Sequence, residues 1–180
     1  MTGPTSARIL PAFRSHNNHQ MSEIREISGH PNGAGRRIGI VASRFNAQIV
    51  EALVEGALEC LIGQGVEPAE VTLVRVPGAW EIPQALEELA GRGEFAALIA
   101  LGAVIRGETD HYELICAECA SGVAKVASAH RTPVAFGVLA CDTLAQAADR
   151  AGGAAGNKGF EAAMAALEMG DLVARLRVQA

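Results

Sequence analysis

Aromatic side chains are scarce in this chain, at 4% of 180 residues, and charged ones make up under a fifth. With nearly half of the residues hydrophobic, that balance excludes disorder and is typical of Ala- and Leu-rich helices packed on a Val/Ile sheet. The net charge of −5 argues against a broad nucleic-acid surface and leaves room for a small basic pocket. Cysteine is sparse too. Cys116 and Cys119 form a CxxC, but it begins well inside a predicted helix, so the thiol-activating helix N-terminus of a redox pair is missing. A zinc site lacks two further ligands, Cys60 and Cys141 stand alone, and the thiols read as packing in a protein of the reducing cytoplasm. Glycine-rich segments carry no nucleotide signature. Gly33-Ala-Gly35 precedes a strand where it should follow one, and Gly152 to Gly159 lacks the Gly-Lys-Ser/Thr ending of a phosphate loop.

Residues 1–36 contain Pro4, Pro11 and Pro31 and only the brief apolar pair Ile9-Leu10, which excludes a signal-peptide core and a membrane span there. They read as a mobile leader before a single domain over 37–180. His16, His19 and His30 are irregularly spaced with no Cys partner, so solvated loop is a better reading than a metal cluster. Met21, where the composition changes, is a second candidate start.

From Arg37 onward, strand and helix patterns alternate. Strands are predicted at Ile38–Ala42, Val71–Val76, Phe95–Ala103 and Val134–Cys141. A helix to about Gln64 follows the first, with Ile49, Val50, Leu53, Val54, Ala57, Leu58, Leu61 and Ile62 on a broad apolar face. Others run from about Ile82 to Gly91, from near Asp110 to about Ala129, from Leu144 to Ala151 and from Phe160 to Arg177. His130, Arg131 and Pro133 mark the end of the third. Strict alternation implies a parallel sheet covered on both faces through right-handed crossovers.

In such sheets ligands bind at the strands' carboxyl ends. Gly102-Ala-Val-Ile-Arg-Gly-Glu-Thr-Asp-His-Tyr-Glu113 leaves the third strand and enters a helix whose unpaired first-turn N–H groups favour an anion. His111 stands in that turn, where an imidazole can move a proton near neutral pH. A competing reading is helix initiation alone, since Asp110 and Glu113 have capping-box spacing. At the other strand ends lie Phe45, Trp80 and Glu81. An open ring there can stack on a flat heterocycle and a carboxylate can accept hydrogen bonds from hydroxyls; alternatively, Phe45 only anchors a helix start and Glu81 only favours a helix N-terminus.

Arg44-Phe45-Asn46, Val76-Pro-Gly-Ala-Trp-Glu-Ile-Pro83, Gly102 to His111, Phe136-Gly-Val-Leu139, and Arg150-Ala-Gly with Gly156-Asn-Lys-Gly159 together resemble the 6,7-dimethyl-8-ribityllumazine synthases of riboflavin biosynthesis, in order and over about 37–175. The resemblance implies an α/β, three-layer αβα flavodoxin-like sandwich with a mainly four-stranded parallel sheet. It also implies a transferase that condenses 5-amino-6-(D-ribitylamino)uracil with 3,4-dihydroxy-2-butanone 4-phosphate, without metal or organic cofactor. The runner-up is a non-catalytic flavin- or lumazine-binding protein, or a purely shell-forming one, on the same scaffold.

Carried onto this chain, the resemblance makes His111 the proton-transfer residue and Phe45 the stacking ring. Ala79, Trp80 and Glu81 would hold the ribityl chain, Ala103, Val104 and Ile105 would offer backbone groups to the uracil edge, and Glu108 and Thr109 would form the phosphate turn through main-chain N–H groups, with the Glu108 carboxylate turned away. A neighbouring subunit would supply Phe136, Arg150 and Lys158. The implied assembly is a pentamer; twelve pentamers closing into a 60-subunit shell is the favoured extension, with riboflavin synthase as a further partner and neither nucleic acid nor membrane among the partners. Two departures stand out: Asp110 replaces a frequent proline, and Ala140-Cys141 a pair that often bears hydroxyls. They are expected to tune affinity.

Overall fold

The computed structural model describes residues 24–178. Four parallel strands, β1 (Ile38–Ser43), β2 (Val71–Val76), β3 (Ala97–Ile105) and β4 (Val134–Cys141), form one sheet in the order β2-β1-β3-β4. Helices α1 (Ala47–Gly63), α2 (Ile82–Gly91), α3 (His111–His130), α4 (Leu144–Arg150) and α5 (Lys158–Val178) complete a flavodoxin-like three-layer sandwich. Period-two alternation builds its two cores. Ile38, Ile40 and Ala42 of β1 and Ala97, Ile99 and Leu101 of β3 face α1 and α5. Val41, Leu98 and Ala100 face α2 and α3. Strands buried on both sides read as unbroken apolar runs, which is why β1 and β3 are legible in sequence.

The third strand begins two residues later than expected and runs two further, to Ile105. The Gly152 to Gly159 link is not a bare loop but a small antiparallel hairpin, β5 (Ala151–Gly153) and β6 (Gly156–Asn157). Asn157 then joins two layers. Its side-chain oxygen accepts the N–H groups of Gly159 (2.8 Å) and Phe160 (3.2 Å), capping α5, while its amide donates to Ala52 O of α1 at 2.8 Å. Gly159 permits this approach, because a Cβ there would lie 1.9 Å from Leu53 O. The glycine-rich stretch that fails as a nucleotide loop is thus a helix cap.

Of residues 1–36, 1–23 lie outside the described residues, so His16, His19 and Met21 cannot be placed. Further along, Gly29 is buried against Glu168 and Leu172 of α5. Asp171, 7% exposed, accepts His30 N–H at 3.0 Å, Arg36 at 2.9 Å and Arg175 at 2.6 Å. Burial is the largest single influence on its carboxyl and opposes ionisation, but the His30 N–H and the two arginines together outweigh it and lower its pKa. A carboxylate with a depressed folded pKa stabilises the fold above its unfolded pKa, and that stability is lost as pH falls through the folded value. Asp171→Asn is therefore expected to cost about 1–3 kcal/mol at neutral pH, with the difference from the parent shrinking below about pH 4; urea unfolding at several pH values measures it. Among the described residues, no helix is long and apolar enough to cross a membrane.

Candidate active site

Three strand ends open into one crevice of about 370 Å³. Because β1 sits between β2 and β3, the segments leaving these strands converge. Phe45 follows β1 and is held by its own N–H, which donates to Pro77 O at 3.1 Å. Asn46, in the left-handed region at φ 57°, sends its side-chain amide to Ala103 O at 2.8 Å and so ties the β1 exit to β3. After β2, a short 3₁₀ turn over Ala79–Glu81 presents Ala79 and Trp80. Ala103, Val104 and Ile105 of β3 form the floor, and Thr109 and His111 the far wall. Phe45 and Trp80 are 68% and 57% exposed, which leaves ring faces free to meet a ligand.

Four lining residues were not singled out from the sequence: Gly78, Gly107, Tyr112 and Ile115. The position of Ile115 was available, since it lies four residues beyond His111 on the same helical face. Tyr112 gave no such signal. Neither Glu81 nor Glu108 lines the crevice. One Glu81 oxygen accepts Gly78 N–H at 2.9 Å, which holds the strand-to-helix turn.

The Asp110/Glu113 capping box does not form. Asp110 makes no side-chain cap bond to α3, and the Glu113 carboxylate is taken by Arg106, whose Nε also donates to Asp142 at 2.7 Å. Asp110 therefore leaves the start of α3 without an N-cap side-chain bond, and although the Glu113 carboxylate also accepts its own N–H, an anion suits the other first-turn N–H groups. No partner for the His111 imidazole is seen among the described residues, and its ring is free to reach a bound molecule.

Phe136, Arg150 and Lys158 are not brought into this crevice. They line a separate hollow of about 440 Å³ along β4, the edge strand opposite β2. Arg150 Nη1 donates to Gln146 O at 3.0 Å, whereas Lys158 is paired with Glu161 at 2.6 Å. The thiols are free, and burial raises the pKa of each: Cys60 and Cys119 are pushed to about 11, with Glu59 and Cys116 respectively adding to the effect. That is the environment of inert packing cysteines.

Fold and crevice define a flavodoxin-like α/β protein with an open crevice at the carboxyl ends of its parallel strands. Residues 35–174 match the family model described as 6,7-dimethyl-8-ribityllumazine synthase. The chain is 50% identical over 143 residues to the 6,7-dimethyl-8-ribityllumazine synthase of Aquifex aeolicus, covering 79% of this chain and 93% of that protein. It is 47% identical over 148 residues to the one from Desulfovibrio desulfuricans, covering 82% and 95%. The chain belongs to the 6,7-dimethyl-8-ribityllumazine synthase family.

Proposed function

We propose that the protein condenses 5-amino-6-(D-ribitylamino)uracil with 3,4-dihydroxy-2-butanone 4-phosphate to give 6,7-dimethyl-8-ribityllumazine, releasing phosphate and water, the penultimate step of riboflavin biosynthesis. The observation that carries this reading is the convergence in one crevice of an open Phe45 ring, the start of α3 without an N-cap side-chain bond and, among the described residues, an unpartnered His111. The ring stacks on the pyrimidine, the N–H groups hold the phosphate, and His111 moves protons between them. The 5-amino group attacks the butanone carbonyl, and loss of water gives a Schiff base. Removal of the C3 proton and loss of phosphate from C4 leave an enol, which tautomerises to a C3 ketone with C4 as a methyl group, and attack of the ribityl-bearing nitrogen on that new ketone closes the ring with loss of water. Both substrates bring their own reactive groups, so positioning and proton transfer suffice without a covalent enzyme intermediate.

The ribityl chain is assigned to Ala79, Trp80 and Glu81, and the uracil edge to the backbone of Ala103, Val104 and Ile105. The phosphate is assigned to the turn at Glu108 and Thr109, completed by Arg150, with Phe136 and Lys158 beside it, from a second subunit. Support for sharing comes from Phe136, Arg150 and Lys158 lying in a different hollow of the same chain. A pentamer is the assembly proposed, with a 60-subunit shell as its extension, in the cytoplasm, and with 37–180 as the catalytic domain. Mixing the two substrates with the protein tests the activity: lumazine absorbance is expected to rise above the uncatalysed rate. A flat trace accompanied by lumazine binding would favour the non-catalytic alternative.

A further inference from the structure

We propose that Arg106 is a positioning residue for the turn over 107–110, holding its N–H groups in register with the crevice; this rests on the reading of that turn as the phosphate site. The turn spans only the gap between the end of β3 and the start of α3, and Gly107 gives it freedom to move. Arg106 closes both ends of that gap. Its N–H donates to Cys141 O at 2.9 Å, joining β3 to the end of β4. Its guanidinium reaches Asp142 beyond β4 through Nε and Glu113 in the first turn of α3 through Nη1. The same group lies 4.3 Å from the centre of the Tyr112 ring, which itself lines the crevice.

A lone exposed ion pair has little consequence. Here one planar fork satisfies two carboxylates from different elements and stacks on an aromatic face, which a point-charged ammonium cannot do at once. Two carboxylates against one guanidinium also leave Arg106 no net charge with which to attract phosphate. Its influence on an anion is through geometry.

Titration of the full-length chain with inorganic phosphate, followed by calorimetry or phosphorus NMR, tests this alongside steady-state kinetics. Arg106→Gln and Arg106→Lys are both expected to weaken phosphate binding by about tenfold, the scale on which a small misplacement acts. KM for the butanone phosphate should rise in parallel, while KM for the ribitylaminouracil and the melting temperature stay close to the parent's. Unchanged phosphate affinity in Arg106→Gln, or full rescue by lysine, overturns the proposal. Should the Arg106 variants fail to fold, the double variant Glu113→Gln, Asp142→Asn carries the same test with opposed signs. Lost positioning weakens phosphate binding, whereas the unmasked arginine charge would tighten it and overturn the idea. If the parent binds phosphate in this pattern but forms no lumazine, the reaction assignment falls and the positioning role stands. If the parent binds no phosphate, the positioning role falls.

Discussion

Arg150→Ala is expected to raise KM for the butanone phosphate by about 10- to 150-fold, equivalent to about 1.5–3 kcal/mol for a lost charge-assisted hydrogen bond. Of the two cations along β4, Arg150 is the better placed to serve an incoming phosphate. Lys158 is held by both oxygens of Glu161, whereas Arg150 is exposed and gives only Nη1 to a carbonyl of its own helix. No carboxylate lies within ion-pair distance of it among the described residues, and a guanidinium has further donors with which to grip two phosphate oxygens. Binding of a non-phosphorylated lumazine should change little, and isothermal titration with both ligands separates the cases. Equal weakening of the two would mean that Arg150 supports a subunit contact and not the phosphate. Because Arg150 sits outside the crevice of its own chain, mixing it with a crevice variant offers a second reading. Co-assembled Arg150→Ala and His111→Ala subunits should regain part of the lost activity, since some shared sites would then contain both parental halves.

Replacing His111 with alanine should slow turnover by about 10- to 100-fold, at or below the low end of general acid–base effects. The residual activity is expected because the amine and carbonyl react once held together, and the groups that hold them are not those that move protons. Single-turnover kinetics with both substrates saturating isolates this step from binding. Turnover and affinity both unchanged would remove His111 from the mechanism. A rise in KM with constant turnover would recast it as a binding group.

How far a residue's role was legible depended on whether its partners are near in sequence. Alternation along β1 and β3, the apolar face of α1, and the strand-to-helix exits carrying Phe45, Trp80 and His111 are local patterns, so sequence alone determined the layered fold and most of one crevice. It also determined that the family motifs occur in order, which made the reaction class legible before any geometry. Partners across long separations could not be read this way. Glu113 has capping-box spacing to Asp110, yet its carboxylate turns to the guanidinium of Arg106, just beyond the end of β3, because a charged, forked donor binds a carboxylate more strongly than the N-cap N–H. Nothing near Asn157 in sequence shows that its side-chain amide donates to Ala52 O of α1 at 2.8 Å. Asp171 sits unremarkably in an amphipathic helix, and two of the three partners of its buried carboxylate come from residues 30 and 36, over a hundred positions away. Strand order made the last decision. With β4 beyond β3, at the edge opposite β2, Phe136, Arg150 and Lys158 are carried away from the crevice around the ends of β1, β2 and β3, a separation that no spacing along the chain encodes because it depends on which strands pair.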